Sequence, residues 1–286
     1  MPPTKIMSTT TQNVTIIEYR MTSGGIDAKT REFIAIARRL GLSLRVFAYL
    51  LVLNALGVAF EVIAIGMLLP IEGNFEQAKR IEAQIAASLP THKRLWATVV
   101  RAKLEQQAAA LEATGAPPAP LAALAGKVKS GDPDNLEAQG ARRYWGLLFG
   151  EGFRRDQDGA GLNALLNYGY TVLRSATARA VIAAGLHPSI GLHHSNDNNA
   201  MRLVDDLMEP FRPMVDLKAW QLKRNGEADV TPDAKRQLVR TLYDDMQTDA
   251  GATPVMVCMQ KLATSLAQVY LGEREKLDLP LPGLPL

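Results

Sequence analysis

The stretch "LNALLNYGYTVLRSATARAVIAAG", residues 162–185, decides the fold class of this chain. Its apolar side chains recur at helical spacing over a wide face, and alanines and other good helix formers fill the positions between them. Gly185 follows the last turn, at the position where glycine commonly ends a helix. The stretch therefore predicts a long helix that is buried along much of its surface.

The segments on both sides of this stretch have the same helical character. Apolar residues recur at helical spacing in residues 92–113, 130–149, 231–247 and 254–273. The second of these opens with Asp132 as a helix N-cap and a proline at the first helical position. No strand alternation and no internal repeat stands out after residue 90. We therefore predict that residues 88–286 form one all-α domain and that the protein is mainly α.

The front of the chain, residues 1–87, has a different texture. Residues 46–71, "VFAYLLVLNALGVAFEVIAIGMLLPI", are almost wholly apolar, and only Asn54 and Glu61 interrupt them. About 20 such residues suffice to span a bilayer, and arginines precede the run as they do in a positive-inside anchor. The run predicts a long helix over about residues 43–69. A membrane span and a buried core helix both account for it.

Composition sets loose limits on function. The formal charge of +3 and the isoelectric point near 8.9 permit a nucleic-acid partner without requiring one. A single cysteine, Cys258, excludes an internal disulfide and a cysteine-rich zinc site. This cysteine usage suits a reducing cytoplasm, which is the predicted location.

Residues 191–213, "GLHHSNDNNAMRLVDDLMEPFRP", combine several possible metal ligands. Asp206 and Glu209 are three apart, so they share a face of the helix predicted over about residues 201–209. Pro210 ends that helix. Acidic pairs at this spacing also occur on ordinary solvated helix faces, so the spacing alone leaves both interpretations open.

Side chains outside this helix complete the candidate site. The preceding loop carries His193 and His194, and the spacing does not choose between them. One imidazole with carboxylate oxygens suits Mg²⁺ or Mn²⁺ and is a poor shell for structural zinc. Glu137 lies one turn inside its helix and is followed by two arginines and a tyrosine, a setting that suits phosphate handling. It also fits a plain favourable charge at a helix N-terminus.

Taken together, several segments resemble the CRISPR adaptation integrases, the Cas1 family. The resemblance is carried by residues 93–111, 130–145, 162–194 and 203–216. The segment "LATSLAQVYLGEREKL", residues 262–277, resembles the version that accompanies systems with a single large RNA-guided nuclease. The resemblance covers about residues 88–280, and the motifs occur in the family's order.

The resemblance implies a site and a reaction. It implies that Glu137, His194 and Glu209 bind one Mg²⁺ or Mn²⁺ ion and that Asp206 lies close by as a further catalytic residue. His194 closes the family's G-x-x-H pattern, and Asp206 and Glu209 form its D-x-x-E pattern. The implied activity is that of a metal-dependent DNA endonuclease and integrase, which inserts foreign DNA fragments into the repeat array by transesterification.

The resemblance also implies partners. These are DNA, as the foreign fragment and the repeat array, a second copy in a homodimer, and the small protein Cas2, which bridges two dimers. Some basic side chains are candidates for phosphate contacts. They are Arg142, Arg143, Arg174, Arg179, Arg202, Lys218, Lys223 and Arg224.

The front of the chain departs from the family pattern. The family has a small β-rich domain there, whereas residues 1–87 lack strand and hairpin signals. Residues 60–71, "FEVIAIGMLLPI", resemble part of the first membrane helix of ATP-binding-cassette exporters. The front is either a natural fusion or the start of another protein joined by gene rearrangement. The rival interpretation is an inactive or membrane-anchored helical remnant that contacts a membrane through residues 46–71.

Overall fold

The structure, a computed structural model, describes residues 73–283. They belong to a compact unit that runs from Ile71 to Leu286. The predicted helix over residues 43–69 and the apolar run over 46–71 lie outside the described residues. Within residues 73–283, no helix combines the length and the hydropathy that crossing a bilayer requires.

The described part of the chain is mainly helical, which confirms the predicted fold class. The α-helices are α1 (Gly73–Ala86), α2 (Leu89–Ala113), α3 (Ala119–Ala125), α4 (Leu136–Phe149), α5 (Leu162–Ala183), α6 (Arg202–Met208), α7 (Arg212–Arg224), α8 (Pro232–Arg240) and α9 (Val255–Tyr270). Two 3₁₀ turns, Glu209–Phe211 and Thr241–Tyr243, follow α6 and α8.

Two long helices organise the core. Helix α2 packs against α3, α4 and α7, and helix α5 packs against α6, α7, α8 and α9. Gly169 lets α5 and α7 approach closely, because a Cβ atom there would lie 2.4 Å from Cγ1 of Val215. Gly185 ends α5 with a φ of +75°, as the sequence predicts. Helices α2, α5 and α7 thus bring distant parts of the chain side by side.

A short β-hairpin follows α8, and the sequence analysis missed it. Strand β1 (Asp245–Thr248) pairs antiparallel with β2 (Gly251–Pro254). Met246 and Thr248 are buried on one face, but four residues per strand are too few for alternation to be distinguished from a turn. The expectation that no strand follows residue 90 is therefore wrong at this point.

Helix α4 begins later than its sequence predicts. Its first residue is Leu136 and its N-cap is Asn135, whose side chain accepts a hydrogen bond from the Ala138 N–H. Asp132 contributes from a distance, since its two carboxylate oxygens accept hydrogen bonds from the N–H groups of Leu136 (2.9 Å) and Glu137 (3.0 Å). The carboxylate thus fixes the backbone at Glu137 without belonging to the helix.

Candidate active site

Two of the predicted acidic ligands meet at one buried lysine. Lys103, in the middle of α2, contacts Glu137 Oε1 through its ammonium nitrogen, and the same nitrogen lies 2.5 Å from Glu209 Oε2. The side chains of Lys103 and Glu209 are 8% and 7% exposed, whereas that of Glu137 is 30% exposed. Helix α4 and the 3₁₀ turn after α6 therefore place their carboxylates against the same lysine of α2.

The oppositely charged groups at this point offset the effect of burial on one another's pKa. Burial alone would raise the pKa of Glu209, but Arg212 and Lys103 outweigh it and lower this pKa. Burial alone would lower the pKa of Lys103, but Glu209 and Glu137 outweigh it and raise this pKa. Arg212 also donates a hydrogen bond from Nε to Glu209 Oε1 at 2.9 Å. The site is a buried cluster of charged groups.

One oxygen of this cluster is buried against the lysine ammonium group. The partner of Glu209 Oε2 among the described residues is the ammonium nitrogen of Lys103, at 2.5 Å. A buried carboxylate oxygen normally has a donor or a cation as a partner. Glu209 Oε2 and Glu137 Oε1 share the Lys103 ammonium group as their cationic partner, so the two oxygens face a position that suits a cation.

His194 is held by Asp206. Its Nδ1 lies 2.5 Å from Asp206 Oδ1, and Asp206 Oδ2 accepts hydrogen bonds from the N–H groups of Leu192 (2.7 Å) and His193 (3.1 Å). The hydrogen bond to Asp206 raises the pKa of His194. Histidines that bind metals usually donate one ring nitrogen to a carboxylate and bind with the other. Asp206 thus orients His194, and Nε2 is the ring nitrogen that could bind an ion.

The neighbouring histidine has a different environment. The ring of His193 stacks on the buried Trp96 of α2, with centroids 4.5 Å apart and planes 1° from parallel. His193 lines neither of the two cavities at this site, whereas His194 lines the larger one. The structure thus separates two adjacent residues that the sequence spacing could not separate.

The histidine loop is also fixed from α1. Gln84 is fully buried, and its Nε2 donates to the carbonyl oxygens of His187 (3.1 Å) and Ile190 (2.9 Å). Its Oε1 accepts from the His187 N–H at 2.8 Å. This single side chain holds the loop a few residues before His194.

Two adjoining cavities surround the cluster. The larger, of about 540 Å³, is lined by His194, Glu209 and residues of α5. The smaller, of about 220 Å³, is lined by Lys103, Glu137 and Glu209. Within residues 73–283, no three His, Cys, Asp or Glu side chains are close enough to hold one ion. The structure therefore brings Glu137 and Glu209 together and places His194 on the adjoining wall, but not all three at ligand distance.

Both cavities are bordered by residues that the sequence analysis did not select. Arg155 and Tyr170 line both cavities, and Lys103 lines the smaller one. The guanidinium of Arg212 lies 4.7 Å from the Tyr170 ring centroid, in a cation–π contact. The available signal for Lys103 is the polar run "KLEQQ", residues 103–107, in the middle of α2.

The buried carboxyl group of Asp216 fixes the tyrosine that borders both cavities. Asp216 of α7 is 1% exposed and accepts hydrogen bonds from the hydroxyl groups of Tyr144 (3.0 Å) and Tyr170. Burial raises the pKa of Asp216 to about 7, although these hydrogen bonds oppose the rise. The tyrosine that faces both cavities is thereby fixed to α7.

Among the basic candidates for phosphate contacts, Arg174 lines the larger cavity. It donates from Nε and from a terminal nitrogen to the two oxygens of Asp205, at 2.6 and 3.0 Å, and it also contacts Asn199. A bidentate pair of this kind fixes the guanidinium plane. Arg142 and Arg143 are exposed on α4 and line neither cavity.

The chain is similar to known proteins over most of its length. The family model described as "CRISPR associated protein Cas1" matches residues 64–242. A CRISPR-associated endonuclease Cas1 from Neisseria meningitidis serogroup C is 37% identical over 226 residues, which cover 77% of this chain and 74% of the relative. A CRISPR-associated endonuclease Cas1 from Pyrobaculum aerophilum is 32% identical over 153 residues and covers 51% of each chain.

Solved structures share the fold. A casposase bound to its integration product aligns with a TM-score of 0.63 and 21% identity, over 73% of each chain. The Cas1 protein of Thermotoga maritima aligns with a TM-score of 0.55 and 15% identity, over 70% of each chain. A partial Cas6-RT-Cas1–Cas2 complex contains a chain that aligns with a TM-score of 0.59 and 18% identity, over 72% of this chain and 73% of that one.

Proposed function

The chain belongs to the Cas1 family of CRISPR-associated proteins, and from this membership we propose that it is a metal-dependent DNA endonuclease and integrase of CRISPR adaptation. The observation that supports the chemistry is the pair Glu137 and Glu209, which share one buried cationic group. His194 borders the adjoining cavity, and Asp206 contacts its Nδ1, so that Nε2 is the ring nitrogen without a hydrogen bond to the described residues.

The residues present fit a divalent ion. Glu209 would supply a buried carboxylate oxygen, Glu137 would supply a second oxygen that contacts the same ammonium group, and His194 would supply Nε2. Oxygen ligands with one imidazole suit Mg²⁺ or Mn²⁺. When bound, such an ion would stabilise negative charge that develops on a phosphate during its transfer.

The remaining chemistry is assigned to this chain's own side chains. In the proposed transesterification, a 3′ hydroxyl of the captured fragment attacks a phosphodiester of the repeat. One P–O bond forms and one breaks, the attacking hydroxyl loses a proton and the departing oxygen gains one. Arg155 and Arg174, each anchored by neighbouring amide or carboxylate oxygens, would bind phosphate oxygens at the cavity rim. Asp206 would keep His194 in one orientation throughout.

The proposed partners are DNA, a second copy of the chain and Cas2. The similar casposase is bound to an integration product, and another similar chain belongs to a complex with Cas2. These titles describe those proteins, and they support the same kinds of partner here. The homodimer rests on the family resemblance.

A cleavage and integration assay tests the proposal. The full chain is incubated with branched DNA, or with a short duplex and a repeat-containing plasmid, in the presence of Mn²⁺. We expect Glu137→Gln and Glu209→Gln to lose at least about 100-fold in rate, because each removes a charged ligand. Glu112→Gln, on the exposed surface of α2, is the matched control and keeps the wild-type rate. Equal rates for all variants would refute the assignment.

The rival interpretation has no support from the described residues. The apolar run that suggested a membrane-anchored remnant, residues 46–71, lies outside them. Carbonate washing of membranes from cells that produce the full chain tests the anchor, since a spanning helix stays in the pellet. A chain that pellets with membranes and cleaves no DNA would favour the remnant.

A further inference from the structure

The ammonium group of Lys103 lies between the two carboxylates that the family resemblance assigns to a metal ion. Lysine is almost never this buried unless it is paired. Its nitrogen contacts Glu137 Oε1 and lies 2.5 Å from Glu209 Oε2. These are the oxygens that an ion between the two carboxylates would use. A cationic group of the protein therefore already occupies the place between them.

The charges balance without a metal. Lys103 and Arg212 carry two positive charges, and Glu137 and Glu209 carry two negative charges. Removing one member of such a buried group leaves an uncompensated charge, which is strongly unfavourable. Adding a divalent ion with Lys103 still in place would set two cations against the same oxygens. The ammonium group and the ion thus compete for one position.

We propose that Lys103 is a built-in cation that holds Glu137 and Glu209 together in the metal-free protein and leaves its place between them when a divalent ion binds. This inference rests on the proposed function, because it takes both glutamates as ligands. Lys103 is a positioning residue, since it acts through the carboxylates.

Two features make this exchange possible. The four-carbon stem of lysine is flexible, so the ammonium group can move while the backbone of α2 stays in place. The cavity of about 220 Å³ that Lys103 itself lines gives the group room to move into. The two ion pairs to Glu137 and Glu209 show the side chain in the role of a cation.

The test compares Mn²⁺ binding and thermal stability in the full chain. Lys103→Met removes the charge and keeps a similar side-chain length, and Lys103→Gln is a second neutral variant. Lys129→Met is the matched control, because Lys129 is paired with Asp134 at 3.6 Å and lines neither cavity. The dissociation constant for Mn²⁺ is measured by titration calorimetry. The melting temperature is measured with and without Mn²⁺.

We expect Lys103→Met to bind Mn²⁺ at least about tenfold more tightly than the wild type, since a nearby like charge commonly shifts an ionic equilibrium by one to three orders of magnitude. The metal-free variant should melt at a lower temperature, and Mn²⁺ should raise its melting temperature more than that of the wild type. A purely structural lysine would lower stability without tightening Mn²⁺ binding. The control should match the wild-type affinity.

The outcomes separate this inference from the proposed function. If the wild type binds Mn²⁺ and the folded Lys103→Met variant binds it equally or more weakly, the inference fails and the metal site stands. If Lys103→Met does not fold without Mn²⁺, Lys103→Gln must show the tighter binding, and its failure to do so overturns the inference. If neither the wild type nor the variants bind Mn²⁺, both proposals fail.

Discussion

Replacing each of the adjacent histidines by alanine should have different effects on the reaction rate and similar, small effects on stability. His194 borders the larger cavity and is fixed by Asp206, so His194→Ala removes a proposed ligand. His193 stacks on Trp96 and lies away from the cavities, so His193→Ala removes packing. The two variants carry the same substitution at adjacent positions, so each serves as a control for the other.

The magnitudes follow from these contacts. Losing an outer partner of a metal ligand typically costs 10- to 100-fold, so losing the ligand His194 should cost at least about 100-fold in rate, or about 2.7 kcal/mol of activation free energy. Its side chain is 46% exposed, and Asp206 keeps its two backbone donors, so the loss of folding stability should be about 1 kcal/mol. His193→Ala should lose about 0.5–1.5 kcal/mol of stability from the stack on Trp96. Its rate should stay within about threefold of the wild type, below 1 kcal/mol.

Three measurements decide the result. Single-turnover cleavage and strand transfer with Mn²⁺ give the rates, duplex binding gives DNA affinity, and urea unfolding gives stability. DNA affinity should be nearly unchanged in both variants, because phosphate contacts from basic side chains supply most of it. An inactive His193→Ala with an active His194→Ala would shift the assignment by one residue. Full activity in both would mean that neither imidazole serves the reaction, and the proposed site would have to be abandoned.

Three further predictions follow from buried positions. Gly169→Ala should destabilise the protein by about 1–3 kcal/mol in urea unfolding, because the new Cβ would lie 2.4 Å from a valine methyl. Gly146→Ala, which has open space around it, should stabilise α4 by about 0.5–1 kcal/mol. If both variants changed the stability in the same direction, this reasoning would be refuted. The pKa of the Asp216 carboxyl is raised from the ordinary 3.8 to about 7 in the folded chain. Between pH 3.8 and pH 7 the folded state therefore binds more protons than the unfolded state, so the stability falls as the pH rises through this range. Between pH 5 and 8 the wild type should lose about 1–3 kcal/mol more than Asp216→Asn in urea unfolding, and parallel pH profiles would contradict the assignment. Gln84→Ala should speed amide hydrogen exchange in residues 187–190 and leave exchange in α9 unchanged, and equal protection of that loop in both proteins would show that α1 does not hold it.

Local patterns were sufficient for the helices and insufficient for the site. Residues 162–185 carry enough helical periodicity to define α5 and its end at Gly185. The short hairpin after α8 had no comparable length of pattern. The meeting of Glu137 and Glu209 is a tertiary event, because α2, α4 and the turn after α6 create it, and no spacing rule reaches that far along the chain. The family resemblance supplied the ligand assignment that the spacing left open.

Some contacts are set by geometry that sequence patterns do not express. Asp132 reaches past three residues to the first N–H groups of α4, so the helix begins later than a proline-based rule predicts. In the sequence, Lys103 resembles any polar residue within α2. The packing of α2, α4 and the turn after α6 shows that it forms ion pairs with Glu137 and Glu209. Such residues are recognised from burial and pairing rather than from order along the chain.

The contact between Gln84 and the histidine loop limits how new front segments can be joined to this catalytic domain. A shortened chain or a chimaera that starts at residue 88 would keep every proposed ligand and still lose the three hydrogen bonds that Gln84 makes to His187 and Ile190. Recombination between genes can therefore exchange whatever precedes α1 more freely than α1 itself. Helix α1 belongs to the compact unit that begins at Ile71, so a joint placed before that residue keeps the contact between Gln84 and the histidine loop.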